Sequence, residues 1–479
     1  MISTTQYIRL AFRDHLNDSR TYNYIDNEHK QLAVDRIRYL FNAWIKKYKK
    51  LLSKHELHTL CQVLKNNKDP FSKFYLLMKV HKSPLKTRPI VSCSGSLLEK
   101  LAVWVDTKLQ SVARAQASYI SSSYDLKQEL LQLHLPPGSK LFTADAIAFY
   151  TNINTAQALR TIGHYLHENT TLFPDVPVNA LMEALRLVMD NNIFEFGDTV
   201  WHQRTGMAMG TPPAPSYATL YYAIHENEFV PSFPNLLFYR RYIDDVFGIW
   251  KTEIDRTDLP EWTRLANTMP YHDLKWDVNP LSTSVDFLDL TISIHNHLIS
   301  TTLFEKALNL YLFIPPHSAH PPGVLTGIVY GHLIRLHTLC SDPVDIHRKT
   351  QDFYKRLLIR GYKPEKLKPL FQKAYQRAIH YTPWPKSDQA TNNHSLFLHL
   401  QYHPNDPPSS HLQENFREYV LSPRYKHPLP NVRNHAGNPT GINRMIVCYS
   451  RAPNLGDLLS YRKLPTTGPQ ASSFRITGS

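Results

Sequence analysis

Two adjacent acids, Asp244 and Asp245, lie between two apolar, aromatic-rich runs in the segment LLFYRRYIDDVFGIW, residues 236–250. Runs of this kind favour strands, and an acidic pair between them is typical of a tight turn. The pattern therefore predicts a β-hairpin with two carboxylates at its tip. Carboxylates on a rigid hairpin can bind divalent cations through oxygen. The alternative interpretation is a solvated turn without a ligand, since aspartate is common in turns.

A third acid, Asp145, lies within the apolar segment LFTADAI, which is typical of a strand. A carboxylate buried in such a strand is costly unless something compensates its charge, so we expect a metal ion beside it. The alternative is a carboxylate that accepts hydrogen bonds from nearby backbone amides. After Asp145, helical periodicity covers residues 155–167 and 178–190, and Gly197-Asp198 between two β-rich runs predicts a hairpin.

The segment GMAMGTPPAPSYA, residues 206–218, is a loop that precedes a helix. Gly206 and Gly210 allow close backbone approach, and the prolines fix the loop before a helix that starts near Ser216. Loops of this composition are common. Its position between Asp145 and the acidic hairpin makes this loop stronger evidence for a functional role.

A basic hairpin is predicted in FSKFYLLMKVHKSPLKTRPIVS, residues 71–92, where two β-rich runs flank a turn. Lys79, Lys82, Lys86 and Arg88 cluster on it. Arginine offers a fork for phosphate oxygens and lysine offers a point charge, so this hairpin is expected to meet a triphosphate. A basic, exposed hairpin without a ligand is the alternative.

Other segments predict helices and strands to which no chemical role is assigned. Helices are expected within residues 7–65, 97–116, 260–269 and 323–380, and one strand over residues 285–294. Asp286 and Asp289 in that strand are interpreted as edge or hairpin acids and not as metal ligands. From residue 381 the composition predicts a linker, followed by short strand-like pieces.

The overall composition favours a polyanionic partner. The 479 residues include 54 Lys+Arg against 40 Asp+Glu, a formal net charge of +14, and nucleic acid is the commonest partner of such a chain. The four cysteines form no CxxC pair, which argues against a cysteine-based zinc site and for a reducing compartment. Neither a secretion signal nor an apolar run of membrane-spanning length is predicted.

The order of these motifs resembles the reverse transcriptase domain of Penelope-like retroelements, whose catalytic module is related to that of telomerase. The resemblance is carried by FTADAIAFYTNI, GMAMGTPPAPSYA, RYIDD and VDFLDLTI, and it covers about residues 10–380. It implies an α/β right-hand polymerase with palm, mixed fingers and helical thumb. The expected division is fingers over 1–140, palm with a fingers insertion over 141–300, thumb over 301–380, and a linker with a connecting region over 381–479.

The resemblance also implies the site. Asp145, Asp244 and Asp245 would bind two Mg²⁺ ions, for which Mn²⁺ can substitute. The nucleotide would be bound by Lys79, Lys82, Arg88, Tyr150, Met209 and Gly210. Within that set, Tyr150 would exclude the ribose 2′-hydroxyl, and Met209 with Gly210 would lie over the incoming base.

The implied reaction is RNA-directed DNA synthesis from dNTPs, with an RNA template and a DNA primer or RNA–DNA hybrid as partners and the nucleus as location. Protein partners cannot be inferred. The chain departs from the family pattern by starting within the fingers and by ending before a GIY-YIG nuclease, so a truncated copy is expected. Two alternatives stay open: a palm polymerase that copies RNA into RNA, which Tyr150 argues against, and an inactive relic that only binds nucleic acid.

Overall fold

The computed structural model describes residues 2–66, 70–79, 84–252, 259–306, 309–321, 323–381, 395–419 and 444–450. Its helices are α1 Thr4–Ala11, α2 Asn27–Tyr48, α3 Lys54–Asn66, α4 Glu99–Arg114, α5 Ser123–Leu130, α6 Phe149–Asn152, α7 Thr155–Glu168, α8 Val178–Asp190, α9 Ala214–Phe229, α10 Leu259–Thr268, α11 Val324–Leu339, α12 Pro343–Ile359, α13 Pro364–Ile379 and α14 Ser409–Tyr419. Its strands are β1 Tyr22–Ile25, β2 Ser72–Lys79, β3 Lys86–Ser92, β4 Ser139–Ile147, β5 Ile193–Phe196, β6 Thr199–Gln203, β7 Leu236–Tyr242, β8 Asp245–Lys251, β9 Lys275–Val278, β10 Ser284–Phe287, β11 Leu290–His295, β12 Leu298–Leu303, β13 Ser395–Gln401 and β14 Arg444–Ser450.

The predicted mixed α/β fold class is confirmed. The chain divides into two compact units, Met1–Leu308 with Arg462–Ser479, and Asn309–Tyr461. Among the described residues, no helix is both long enough and apolar enough to cross a membrane.

The first unit is organised around a four-stranded sheet in the order β7-β8-β4-β9, in which all neighbours are antiparallel. Its inner residues, such as Phe142 and Trp250, are fully buried. Helices α4, α7, α8 and α9 contribute to the same hydrophobic core, and α9 is buried along most of its length. At one end of this sheet, the last residues of β4 and β7 lie beside the first residue of β8.

A second sheet of the first unit has five strands in the order β1-β6-β5-β2-β3. The predicted basic hairpin β2–β3 and the hairpin β5–β6 are both present. Strand β1 corrects the prediction, because residues 22–25 were expected to be helical. Its aromatic residues pair antiparallel with β6, and this long-range pairing overrides the local helical pattern.

The single strand predicted over residues 285–294 is wrong. The segment forms a hairpin of β10 and β11, which continues with β12 into a three-stranded sheet. Leu288 adopts a positive φ of 52° at the turn. Phe287 and Leu290 are buried on either side, and the apolar alternation changes phase between them, at the consecutive residues Phe287 and Leu288.

In the second unit, helices α11, α12 and α13 share a core that includes Leu333, Phe353 and Phe371. Strands β13 and β14 pair in parallel, and α14 packs against β14. The short strand-like pieces expected in this region therefore join in one β-α-β arrangement. The predicted linker covers residues 382–395; residues 382–394 lie outside the described residues, and Ser395 begins β13.

Candidate active site

The acidic hairpin has a two-residue turn. Tyr242 on β7 pairs with Asp245 on β8, which leaves Ile243 and Asp244 in the loop. Ile243 has a φ of 57°, a conformation that is costly for a β-branched residue but suits the turns that match the twist of a hairpin. The predicted hairpin is confirmed, with Asp244 in the turn and Asp245 as the first residue of β8.

The third acid lies on the neighbouring strand. Asp145 on β4 is directly opposite Asp245 in the β4–β8 ladder, and the backbone N–H of Ala146 donates to the carbonyl of Asp244 at 2.9 Å. The carboxyls of Asp145 and Asp245 are within hydrogen-bonding reach of each other. The fold thus brings Asp145 beside the adjacent pair Asp244 and Asp245, from which it lies far apart in sequence.

Burial and mutual repulsion raise the pKa of two of these acids. The pKa of Asp245 rises to about 7, because of burial first, then the hydrogen bond with Asp145 and the charges of Asp244 and Asp145, while Lys306 acts in the opposite direction. Burial also raises the pKa of Asp244, and the charge of Arg88 opposes that rise. The site therefore concentrates negative charge that a cation would neutralise.

The expectation that Asp145 is buried is wrong. Ala144 before it is buried, but the Asp145 side chain is exposed. The reason is its place near the end of β4, where the strand leaves the core and borders a cavity of about 660 Å³. The Asp145 carboxylate is therefore accessible to a ligand from solution.

These acids fit Mg²⁺ as it is bound beside nucleotides. Within the described part of the chain, no group of three or more His, Cys, Asp or Glu side chains is arranged to hold a metal ion. Mg²⁺, however, is usually held by one or two carboxylates together with substrate phosphates and water. The paired carboxyls of Asp145 and Asp245, with Asp244 beside them, offer that donor set.

Tyr150 lies next to the acids on the short helix α6, which follows β4 directly. Burial raises its pKa to about 12, the charge of Asp244 adds to this, and Arg88 acts in the opposite direction. Arg88 thus acts electrostatically on both Tyr150 and Asp244, although it comes from the other sheet. The predicted nucleotide-binding residues Arg88 and Tyr150 therefore both lie within electrostatic range of Asp244.

The glycine-rich loop joins Tyr150 to the basic hairpin. The N–H of Met207 donates to the carbonyl of Tyr150 at 2.6 Å, and the N–H of Val91 donates to the carbonyl of Met209 at 2.7 Å. Gly206 and Gly210 have φ of +72° and +111°, and a Cβ on either would lie within 2.7 Å of a neighbouring carbonyl oxygen. Close backbone approach, predicted from these glycines, is confirmed.

The basic hairpin carries its cations at different positions along its ladder. Lys79 pairs with Lys86 at the turn end of the β2–β3 ladder, two positions beyond the pair of Leu77 and Arg88. Arg88 is exposed and acts on Asp244. Lys82 lies outside the described residues.

The cavity beside Asp145 and Asp245 contains residues that sequence analysis missed. Lys306 and Asn279 line it, and neither belongs to a recognisable motif. Asp286 and Asp289 also line it from the β10–β11 hairpin, where Asp286 accepts a hydrogen bond from Thr291 at 2.5 Å. Their interpretation as hairpin acids agrees with their position.

Comparison with known proteins gives one family match and several similar structures. The model of the animal helix-turn-helix domain matches residues 312–372, which contain α11, α12 and the first half of α13. No curated protein sequence matches this chain.

Several similar solved structures are polymerases. A telomerase from Candida albicans in complex with a fragment of telomeric RNA has a TM-score of 0.45 and 12% identity, over 71% of this chain and 59% of that chain. A telomerase from Candida tropicalis gives 0.40 and 12%, over 65% and 55%. The Sicinivirus 3Dpol RNA-dependent RNA polymerase gives 0.41 and 13%, over 66% and 71%. This chain spans less than two thirds of the length of either telomerase.

Proposed function

We propose that the chain is an RNA-directed DNA polymerase of the Penelope-like type. The observation that carries the proposal is the arrangement at one end of the strands of the β7-β8-β4-β9 sheet, where Asp145 lies opposite Asp245 and Asp244 occupies the adjacent turn. Nucleotidyl transfer needs acids on a rigid support, a cationic group for the triphosphate and a surface against the sugar. Arg88 and Tyr150 supply the last two beside Asp244.

In this proposal Asp145 and Asp244 hold two Mg²⁺ or Mn²⁺ ions, and Asp245 supports them through its hydrogen bond with Asp145. When bound, the ions supply activation of the primer 3′-hydroxyl and stabilisation of the leaving pyrophosphate. The two-residue turn and the β4–β8 ladder keep the three carboxylates at a fixed spacing. This rigidity reduces the reorganisation that the reaction would otherwise require.

The remaining residues bind and orient the nucleotide. Arg88 offers its planar fork to the triphosphate, and Lys79 with Lys82 adds point charges from the same hairpin. Tyr150 fills the space that a 2′-hydroxyl would need, which selects dNTPs. Met209 and Gly210 lie in the loop that is bonded to both Tyr150 and β3, so that loop can align the base with the sugar.

The partners and organisation follow from this activity. The chain would bind an RNA template with a DNA primer, or an RNA–DNA hybrid, in the nucleus, and its net charge of +14 suits such a polyanion. The fingers, palm and thumb would occupy residues 1–140, 141–300 and 301–380. The animal helix-turn-helix match, residues 312–372, lies within that proposed thumb segment.

Primer extension by purified protein tests the proposal. On an RNA template with dNTPs and Mg²⁺, we expect extension by the wild type and its loss in Asp244→Asn, because the amide keeps the shape of the side chain but loses its charge. The loss should correspond to several kcal/mol of transition-state stabilisation. Binding of the hybrid should stay nearly unchanged.

Asp198→Asn is the matched control, because Asp198 lies in the turn of the β5–β6 hairpin, away from the cavity lining. It should extend primers like the wild type. Extension by Asp244→Asn at a near wild-type rate would show that the carboxylate assignment is wrong. Efficient use of ribonucleotides in place of dNTPs would instead indicate an RNA-copying polymerase.

A further inference from the structure

A buried ion pair lies directly behind the acidic turn. Arg241 on β7 and Glu226 on α9 are joined at 2.7 Å, and each side chain is only 1% exposed. Arg241 stands two residues before Ile243 and three before Asp244. Neither charged residue lines the cavity that contains the acids.

The hydrogen bonds of Glu226 are saturated. One carboxylate oxygen accepts from the hydroxyl of Tyr239 at 2.7 Å and from Nε of Arg241 at 2.7 Å. The other accepts from Ser118 at 2.5 Å and from Nη2 of Arg241 at 2.7 Å. The carboxylate therefore fixes the guanidinium in one plane and one orientation.

The other side of the same guanidinium contacts backbone. Nη2 also donates to the carbonyl of Thr219 at 2.9 Å, and Nη1 donates to the carbonyl of Ile243 at 2.8 Å. The Ile243 carbonyl belongs to the peptide that leads into Asp244. Ile243 has the unfavourable φ of 57°, so its conformation needs support from its surroundings.

A buried ion pair is by itself weak evidence for a contribution to stability. Replacing both partners by uncharged side chains of similar size is often neutral or stabilising, whereas removing one partner is strongly destabilising. The bond from Arg241 to Ile243 therefore suggests a role in geometry. A small displacement of a reacting group can reduce catalysis far more than it reduces stability.

We propose that Arg241 is a positioning residue that fixes the orientation of Asp244 through the Ile243 carbonyl, with Glu226 fixing Arg241 in turn. The inference rests on the proposed function, because it assigns Arg241 a part in the same reaction. Lysine could not replace Arg241, since a single ammonium lacks the fork that reaches Glu226 and the turn at once.

The double variant Arg241→Met with Glu226→Gln separates positioning from stability. It removes both charges together, and the glutamine amide can still accept from Tyr239 and donate to Ser118. We expect cooperative unfolding near the wild-type Tm. We also expect kcat for primer extension to fall roughly 10- to 100-fold, with little change in KM for dNTP or in Kd for the hybrid. The Mg²⁺ concentration for half-maximal rate should rise, which a merely structural role would not cause.

The neighbouring residue provides a matched control. Arg240 on the same strand forms an ion pair with Glu129 at 2.7 Å, but their side chains are 28% and 38% exposed. The double variant Arg240→Met with Glu129→Gln should keep the wild-type kcat and Mg²⁺ dependence.

Arg241→Lys keeps the charge beside Glu226 and serves as the second variant should the first fail to fold. Its kcat should also fall, with KM unchanged. Wild-type kcat in either folded Arg241 variant would overturn the inference while leaving the proposed function intact. A wild-type chain that extends no primer would overturn the proposed function, and this inference with it.

Discussion

Tyr150 is the residue on which discrimination between sugars should depend. Shortening it to Val should admit ribonucleotides, because the ring is proposed to occupy the space that a 2′-hydroxyl needs. The ratio of kcat/KM for dNTP to that for rNTP should fall roughly 10- to 200-fold, the range for removing a shape contact in a pocket. Single-nucleotide incorporation with each substrate measures the ratio.

Tyr150→Phe is the control for this experiment. It keeps the ring and loses only the hydroxyl, whose raised pKa of about 12 keeps it neutral at the pH of the assay. Its ratio should match the wild type. If Tyr150→Val remains active with an unchanged ratio, the residue that excludes ribonucleotides lies elsewhere.

Single residues differ in how far sequence can predict them. The types and order of Asp145, Asp244 and Asp245 were enough to predict their hairpin and strand, and the structure brings them together. The exposure of Asp145 was not predictable, because a strand looks equally apolar whether or not its end leaves the core. The partnership of Arg241 with Glu226 left no local pattern, since it depends on how α9 packs behind β7.

At the scale of elements, the two glycine positions of the loop, Gly206 and Gly210, should not tolerate a side chain. Gly210→Ala places a Cβ 2.7 Å from the carbonyl oxygen of Val91, at a φ of +111° that L-residues rarely adopt. Overpacking of this kind typically costs about 1–3 kcal/mol, in addition to the backbone strain. We expect a lower Tm and weaker dNTP binding, measured by thermal unfolding and by KM.

Gly95→Ala is the matched control in the same unit. Gly95 also has a positive φ, +79°, but nothing lies within 4 Å of an added Cβ. Its cost should be limited to backbone strain, on the order of 1–2 kcal/mol, without an effect on KM. Equal losses of Tm in the two variants would contradict the close contact between the loop and β3.

Local signals predicted most elements of the first unit. Helix α8 covers the predicted residues 178–190. The failures are β1 and the turn at Leu288. Strand β1 exists because β6 offers it an edge, and its own segment does not contain that partner. The turn at Leu288 lies where the apolar alternation changes phase, at the consecutive residues Phe287 and Leu288, and a prediction of one continuous strand overlooks that change.

At the scale of the whole molecule, the sequence indicated the mixed α/β class but not the grouping of the chain into units. The boundary between the compact units falls at Leu308 and Asn309. The β-α-β arrangement of β13, α14 and β14 was not predicted, because parallel pairing joins strands that lie about 50 residues apart and leaves no hairpin signal. The division into fingers, palm and thumb stays a prediction.

The excess positive charge of the chain includes a concentrated stripe on α13. This helix carries four cationic residues and one acid, and its apolar residues Leu367, Phe371, Ala374 and Ala378 are buried against the core of the second unit. Lys366, Lys373 and Arg377 are exposed. Such a stripe is typical of a surface that contacts a nucleic acid backbone.

We therefore expect the triple variant Lys366→Gln, Lys373→Gln and Arg377→Gln to bind an RNA–DNA hybrid with a weaker dependence on salt. Each lost phosphate contact removes about 0.9 from the slope of log Kd against log salt, so three contacts would remove about 2.7. Fluorescence anisotropy over a salt series measures this slope. The triple variant Lys46→Gln, Lys49→Gln and Lys50→Gln loses the same charge from the exposed side and end of α2 and controls for net charge. Equal slopes in the two triple variants would show that net charge, and not contact by α13, determines binding.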